Sequence, residues 1–154
     1  MLEDKRIIVT GSARGMGLAT LTAFVQAGAR VVGMDINDDA GEQAARDANA
    51  LGPGKAAYLH IDIADKDSVE TAFQDAVNWL GGLDVLAHPA AIQAGSAASD
   101  VSVEHWDQMF AVNVRGTMIT NQAAYHHMKA AGGGSIINFG SISGQRAEPG
   151  AVAY

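Results

Sequence analysis

The stretch TGSARGMG, Thr10–Gly17, decides the fold because it joins a short apolar run to a helical segment. The preceding run, Arg6–Thr10 (RIIVT), is β-branched and only a few residues long, which predicts a buried strand. The following segment, Leu18–Ala27, carries apolar residues at three- to four-residue spacing, which predicts a helix that Gly28 terminates. A strand, a glycine-rich turn and a helix in this order are typical of a phosphate-binding turn.

The glycines of this turn have separate physical roles. Gly11 permits a sharp turn, Gly15 allows the backbone to approach a pyrophosphate, and Gly17 allows helix and strand to pack closely. The free N–H groups at the helix N-terminus then point at the phosphates. We predict that the turn binds a dinucleotide, with a purely structural turn as the alternative. The predicted cofactor residues of the turn are Gly11, Arg14, Gly15, Met16 and Gly17.

Strand-like and helix-like segments alternate along the rest of the chain. Further strands are predicted at Ala29–Met34, Ala57–Ile61, Leu83–Ala87 and Ser135–Phe139. Helices are predicted over Asp38–Leu51, from a cap at Asp67 and Ser68 to Leu80, and over Val103–Ala130 as one long helix. Because such alternation requires βαβ crossovers, residues 1–154 are predicted to form a single doubly wound α/β domain with a parallel sheet.

Two carboxylates follow predicted strands at positions that a dinucleotide could use. Asp35 ends the second strand, 18 residues after Gly17, where a carboxylate can accept both ribose hydroxyls and repel a 2′-phosphate. We therefore expect NAD rather than NADP, although Arg14 could pair with a 2′-phosphate. Asp62 could bind the adenine edge, and a turn carboxylate is an equal alternative for it. For Asp35, the alternative is a surface turn residue.

Composition excludes several classes of function. The 154 residues hold 10 Lys and Arg against 17 Asp and Glu, a net charge of −7, and such an acidic chain repels a nucleic-acid backbone. No apolar run approaches the ~18 residues of a membrane span, so no membrane partner is expected. Cys is absent and the five His show no metal-ligand spacing, so no metal site is expected. The short polar N-terminus leaves no room for a signal peptide, which predicts a cytoplasmic location.

These residues resemble the short-chain dehydrogenase/reductase family. The matched pieces, in family order, are Thr10–Gly17, Asp35, Asp62–Ile63, Leu83–Ala91, Asn113–Gly116, and Ser141 with Tyr154. The spacing of 13 between Ser141 and Tyr154 fits the catalytic pair of the family. The resemblance implies a Rossmann-type fold with three layers, α/β/α, and hydride transfer between a nicotinamide cofactor and an alcohol or ketone.

The resemblance also implies roles for single residues. Tyr154 would be the acid in carbonyl reduction and the base in alcohol oxidation, and Ser141 would orient the substrate oxygen. Asn113 would hold a backbone distortion and a proton-relay water. Taken singly, each of these three could be a surface or packing residue; their joint order and spacing favours the catalytic roles. Further cofactor contacts are expected from Ile36, Asp62, Ile63, Pro89 and Ala90.

Two departures from the family pattern change these expectations. His88-Pro89-Ala90-Ala91 replaces the family's Asn-Asn-Ala-Gly, and since Pro89 has no N–H we expect weaker bracing between strands, with a contribution from His88. The family's Lys, four residues after its Tyr, has no counterpart in this sequence. We therefore expect the N-terminal part of a longer enzyme, incomplete at the C-terminal side, with the fifth strand as an open sheet edge. Residues 1–154 alone are expected to lack dehydrogenase activity.

Partners and alternative functions follow from the same resemblance. The expected substrate is a small alcohol or ketone, and the long helix would pair with a symmetry mate, so that the complete protein is a homo-oligomer, a dimer or tetramer. A non-catalytic dinucleotide-binding or regulatory module is the alternative function. A methyltransferase also has a glycine-rich first turn, but the spacing of Ser141 and Tyr154 argues against it.

Overall fold

The computed structural model describes residues 2–146 and 148–154, and its centre is a five-stranded sheet. The strands are β1 (Arg6–Thr10), β2 (Arg30–Asp35), β3 (Lys55–His60), β4 (Val85–His88) and β5 (Ser135–Asn138). All neighbouring strands pair in parallel in the order β3-β2-β1-β4-β5. The predicted doubly wound parallel sheet of the Rossmann type is confirmed, and β5 lies at one edge of it.

Five α-helices accompany the sheet in the part of the chain that the structure describes. They are α1 (Gly15–Gln26), α2 (Asp38–Asn49), α3 (Lys66–Leu80), α4 (Val103–Phe110) and α5 (Thr117–Ala130). Their apolar faces form two cores on opposite sides of the sheet. Along β1, Ile7 and Val9 face one core while Ile8 faces the other, because successive strand residues point to opposite faces. The first core packs α1 and α2 and the second packs α3 and α5, which completes three layers.

The chain is helical throughout Val103–Ala130 as predicted, but it is not one uniform α-helix. A π-helical turn, Ala111–Gly116, separates α4 from α5. The Asn113 side chain, on this turn, makes two hydrogen bonds to the backbone of Ile92, and a wider turn is a recurrent way to aim a side chain at a site. Helix propensity alone could not reveal the interruption, because residues on either side of it are helical.

Two helix starts also differ from the sequence prediction. Helix α3 begins after Asp65, whose carboxylate accepts hydrogen bonds from the N–H groups of Asp67 and Ser68, so Asp65 rather than those two residues is the cap. Helix α1 begins at Gly15, inside the glycine-rich turn, rather than at Leu18. The last two glycines of the turn therefore belong to the first helical turn, which brings helix N–H groups into the turn itself.

The sheet order reverses between β1 and β4, and this reversal places the candidate site. From β1 the chain proceeds outward to β2 and β3, and then crosses to β4 and β5 on the other side. Helices that leave β1 and β4 therefore diverge and open a crevice at the carboxyl ends of these strands. Ligands of open parallel sheets bind in such a crevice.

Candidate cofactor-binding and active site

A cavity of about 630 Å³ lies at the carboxyl ends of the strands. Its walls come from the segments that follow β1, β2, β3 and β4, together with one face of α4 and the π-helical turn. All the residues that the sequence suggested for cofactor binding line this one cavity: Gly11, Arg14, Gly15, Met16, Gly17, Asp35, Ile36, Asp62, Ile63, Pro89 and Ala90. The structure thus brings these residues together around one cavity, while their roles in cofactor binding stay predictions.

The glycine-rich turn leaves space on its cavity side and none on its protein side. Gly15 has a positive φ of 55°, and no atom of the described residues lies within 4 Å of where a Cβ would stand. A Cβ at Gly17 would instead overlap the carbonyl oxygen of Gly11. The turn is therefore closely packed at Gly17, where no side chain would fit, and open toward the cavity at Gly15.

The N-terminus of α1 faces this cavity, and its N-cap side chain makes no hydrogen bond to it. Arg14 occupies the N-cap position in an extended conformation, and its side chain does not cap the helix. An arginine side chain has no acceptor, so it cannot satisfy the first N–H groups of the helix as Ser or Asp would. Free N–H groups and a positive helix end suit an anionic group, and the open space at Gly15 is where its oxygens would fit.

Asp35 is held on the cavity wall by two backbone donors. Its Oδ2 accepts a hydrogen bond of 3.0 Å from the N–H of Ala13, and its Oδ1 accepts one of 3.0 Å from the N–H of Asn37. A carboxylate offers about four acceptor sites, so each oxygen keeps one for a ligand hydroxyl. The bond to Ala13 also ties the carboxylate to the glycine-rich turn, which fixes the two parts of the site relative to each other.

Asp62 is a turn residue that also lies on the cavity wall. Its Oδ1 accepts a hydrogen bond of 2.9 Å from the N–H of Ala64, which makes it a turn residue, and the residue also lines the cavity. The carboxylate is therefore fixed in place at the cavity wall. Whether it binds an adenine edge stays a prediction.

A cluster behind Asp35 was missed by the sequence analysis. The Tyr58 hydroxyl lies 2.7 Å from the Asp35 carbonyl oxygen and 2.8 Å from the Asp38 carboxylate, and the His60 ring also meets that carboxylate at 2.8 Å. Burial, followed by the bond to Asp38, raises the pKa of Tyr58 well above the ordinary value, so the phenol stays a donor. The bond from His60 lowers the pKa of Asp38. Together these contacts hold the turn between β2 and α2. The one trace of this cluster in the sequence is the glycine at position 41, because a Cβ there would overlap the Tyr58 ring.

His88 replaces the first Asn of the family pattern and braces the centre of the sheet. Its Nδ1 lies 2.7 Å from the hydroxyl of Thr10 on β1, and its Nε2 lies 3.2 Å from the hydroxyl of Thr117 on α5. The side chain is 3% exposed, and burial lowers its pKa to about 4. The expected contribution of His88 to bracing is therefore present, and it reaches across two strands and a helix.

Asn113 lies beside the cavity and fixes part of its wall. Its amide donates to the Ile92 carbonyl at 2.8 Å and accepts from the Ile92 N–H at 2.9 Å. The hydroxyl of Thr117 donates to the Asn113 carbonyl at 2.8 Å. Because Ile92 lines the cavity and Asn113 does not, Asn113 fixes the position of the cavity wall through these hydrogen bonds without lining the cavity itself. The backbone around Asn113 departs from α-helical geometry in the π-helical turn, and the role that the resemblance implied for this residue stays a prediction.

Ser141 and Tyr154 do not line the cavity. Of the residues that the structure describes, neither is among those that line it. The Ser141 hydroxyl accepts a hydrogen bond of 3.1 Å from the N–H of Ser143, which caps a short 3₁₀ turn, Ile142–Gly144. The Tyr154 side chain is 39% exposed. The segment before Tyr154 returns toward the loop after β4, where the Ser96 N–H donates to the Gly150 carbonyl at 2.6 Å. Their catalytic roles stay predictions.

An apolar stripe covers one side of α4 and α5. Its exposed members recur mostly at four-residue spacing: Trp106, Phe110, Val114, Met118 and Tyr125. The Trp106 and Phe110 rings stack with centroids 4.7 Å apart. Neighbouring Met109 is buried, and Val112 packs against the second core. This helix pair therefore presents one apolar face to the protein and another to the outside.

Comparison with known proteins identifies the family. The sequence profile described as "short chain dehydrogenase" matches residues 5–154. The chain is 36% identical over 153 residues to cyclopentanol dehydrogenase of Comamonas sp., covering 99% of this chain and 61% of that protein. It is 40% identical over 145 residues to 2,5-dichloro-2,5-cyclohexadiene-1,4-diol dehydrogenase of Sphingobium indicum, covering 93% and 56% respectively. The chain belongs to the short-chain dehydrogenase family of oxidoreductases.

Solved structures agree with this assignment. A short-chain type dehydrogenase/reductase from Mycobacterium ulcerans superimposes with a TM-score of 0.95 at 30% identity, covering 99% of this chain and 56% of that one. An NAD+-bound xylitol dehydrogenase, at 24% identity and a TM-score of 0.95, shares the fold. The chain spans about three fifths of the length of the curated relatives that it matches. Within residues 2–146 and 148–154, no helix is long and apolar enough to cross a membrane.

Proposed function

We propose that the chain binds NAD in the cavity at the carboxyl ends of the strands, as the cofactor-binding part of a dehydrogenase that acts on secondary alcohols or ketones. One observation carries the proposal. The open glycine-rich turn, the uncapped N-terminus of α1 and the anchored carboxylate of Asp35 converge on a single cavity. The first two suit a pyrophosphate, and the third suits a ribose with free hydroxyls.

The preference for NAD over NADP rests on Asp35. Its carboxylate is fixed by Ala13 and Asn37, so it cannot swing away from a 2′-phosphate placed against it. Two like charges at such a distance repel. Among the described residues that line the cavity, Arg14 is the one cation, and it would favour the phosphate. We expect the anchored carboxylate to prevail because its position is determined by two hydrogen bonds.

Three residues would carry the chemistry. Tyr154 would protonate the carbonyl oxygen in reduction and accept the alcohol proton in oxidation, and Ser141 would hydrogen-bond the same oxygen. Asn113 would keep the π-helical turn and Ile92 in place. When bound, the dinucleotide supplies or accepts the hydride. The domain assignment of residues 1–154, the cytoplasmic location and the lack of turnover by this chain alone stay predictions.

The apolar stripe on α4 and α5 supports a homo-oligomer. It runs from Trp106 to Tyr125 on the outside of the molecule and would be covered by a symmetry mate. We propose a dimer or tetramer for the complete protein.

Calorimetric titration with NAD and NADP tests the proposal. We expect wild type to bind NAD at least about tenfold more tightly than NADP. Asp35→Asn keeps the shape and removes the charge, so it should narrow this ratio. Asp39→Asn, an equal charge change on the first turn of α2, is the matched control and should leave the ratio unchanged. Tighter binding of NADP by wild type would contradict the cofactor preference, and binding of neither would contradict the proposal.

A non-catalytic dinucleotide-binding module is a second candidate. The observation that favours it is the position of Ser141 and Tyr154 outside the cavity, with the Ser141 hydroxyl engaged as a cap. An assay of NADH formation from secondary alcohols by the full product of the gene separates the two functions. Turnover that is lost in Tyr154→Phe supports the enzyme. NAD binding without any turnover supports the module.

A further inference from the structure

His88 occupies the point where three elements of the candidate site meet. It is the last residue of β4, directly before the cavity residue Pro89, and its ring lies between Thr10, the last residue of β1, and Thr117, the first of α5. Both ring nitrogens have a hydroxyl partner, at 2.7 Å and 3.2 Å. The ring is therefore a buried link between the glycine-rich side of the cavity and the helix that follows the π-helical turn.

The hydrogen bonds of Thr117 determine which nitrogen carries the proton. The Thr117 hydroxyl lies 2.8 Å from the Asn113 carbonyl oxygen, and since a carbonyl cannot donate, the hydroxyl hydrogen must point there. The same oxygen can then only accept from the ring, so Nε2 carries the hydrogen. A neutral imidazole has one N–H, so Nδ1 accepts from the Thr10 hydroxyl. The result is a directed chain from Thr10 through His88 and Thr117 to the Asn113 carbonyl.

The burial of the ring agrees with this neutral form. Desolvation lowers the pKa of His88 to about 4, and a second ring proton would turn the bond with Thr10 around. The Thr10 hydroxyl would then need another acceptor inside the core. The neutral ring with hydrogen on Nε2 is thus the one arrangement that satisfies all four groups.

Residues 89–92 form the part of the cavity wall that follows His88, and this wall is held at both ends. His88 holds its start through Thr10 and Thr117, and Asn113 holds Ile92 through two hydrogen bonds. Between them Ala90 lies against the glycine-rich turn, since a Cβ at Gly11 would come within 2.8 Å of its Cα. A shift of Ala90 would therefore affect the glycine-rich turn, and a shift of Ile92 would affect the π-helical turn.

From this geometry we infer that His88 is a positioning residue of the candidate site, a neutral Nε2–H imidazole that sets the wall of residues 89–92 relative to the glycine-rich turn and the Asn113 carbonyl. The inference rests on the proposed function: Asp35, which would hold the adenosine ribose, ends β2 on one side of β1, and β4 lies on the other side, so the wall would border the nicotinamide half of the dinucleotide. It assigns to His88 the bracing that Pro89, without an N–H, cannot supply. His88 itself does not contact the cavity, so it acts through its neighbours.

Nitrogen-15 NMR of the imidazole rings in the wild-type chain tests the hydrogen-bond chain without any substitution. We expect His88 to show a protonated Nε2 and an unprotonated Nδ1 at neutral pH. A ring protonated on Nδ1, or one that exchanges between both forms, would overturn the inference.

Binding of NAD and ADP by variants tests the positioning role. Thr117→Val removes the link to the Asn113 carbonyl and should lower NAD affinity about tenfold while leaving ADP affinity within about twofold. Thr120→Val is the matched control on the same helix: this hydroxyl is buried, with no hydrogen-bond partner among the described residues, so neither affinity should change. Only a local effect on the nicotinamide side changes the ratio of the two affinities; general destabilisation does not.

Substitution of His88 itself completes the test. His88→Gln keeps one donor and one acceptor and should retain NAD affinity within about threefold, whereas His88→Leu should lose about as much as Thr117→Val. An unchanged ratio of NAD to ADP affinity in both Thr117→Val and His88→Leu would overturn the positioning role. If wild type binds neither nucleotide, the proposed function fails, and the NMR result still decides whether the hydrogen-bond chain exists.

Discussion

Acid should destabilise the folded chain through His88, and His88→Gln should remove this effect. The pKa of His88 is about 4 in the folded state against 6.5 for a free imidazole. Below pH 6.5 the unfolded chain takes up a proton that the folded chain does not, so stability that is present above pH 6.5 is lost as pH falls toward 4. At about 1.4 kcal/mol per pH unit, this amounts to about 3 kcal/mol at pH 4. Because the side chain is only 3% exposed, solvent screening reduces this value little.

The difference between wild type and His88→Gln isolates this contribution. Both proteins share all other titrating groups, so these cancel in the comparison. Urea unfolding followed by tryptophan fluorescence at about pH 7.5 and about pH 4.5 gives the free energy of unfolding of each protein. We expect the advantage of wild type over the variant to shrink by about 2–3 kcal/mol at the lower pH. An equal difference at both pH values would refute the reasoning, since His88 would then titrate alike in both states.

Two further perturbations test the turn and the sheet. Gly17→Ala should lower the free energy of unfolding by about 2 kcal/mol, because its methyl group would overlap the Gly11 carbonyl, and Gly15→Ala by only about 1 kcal/mol, because its φ is positive but its surroundings are open. Thermal melts that rank the two variants the other way would contradict this account of the turn. Asp84→Asn should cost about 1 kcal/mol at neutral pH, since Arg6 donates to both carboxylate oxygens of a partly exposed pair. The hydrogen bond from Arg6 lowers the pKa of Asp84 to about 2, so wild type should lose this contribution only as pH falls below 3.8; a loss already complete at pH 5 in unfolding titrations would be inconsistent.

Periodicity and glycine placement were sufficient to predict the sheet and the cofactor side of the site. Short β-branched runs such as Arg6–Thr10 have one plausible structure in this context, and the order of strands and helices then requires a parallel sheet. Asp35 could be placed at the cavity because the carboxyl ends of neighbouring parallel strands lie at the same edge. These inferences depend on local sequence or on a general property of parallel sheets.

Features that depend on contacts between distant residues could not be predicted. In the π-helical turn, Asn113 bonds to Ile92, 21 positions before it, and nothing in the turn's own segment distinguishes it from an α-helix. The role of His88 requires Thr10, 78 positions before it, and Thr117, 29 positions after it. The true cap of α3, Asp65, lies among several acidic residues that could each begin a helix, and only backbone geometry selects one.

The central claim is that NAD binds in the cavity at the carboxyl ends of the strands. Backbone amide chemical shifts of the 154-residue chain, recorded while NAD is added, test this claim most directly. We predict saturable shifts of the amides of Gly15, Asp35, Asp62 and Ala90. These residues belong to four separate segments of the chain and line the same cavity. Shifts confined to the outer face of α5 or to β5, or no shifts at millimolar NAD, would contradict it.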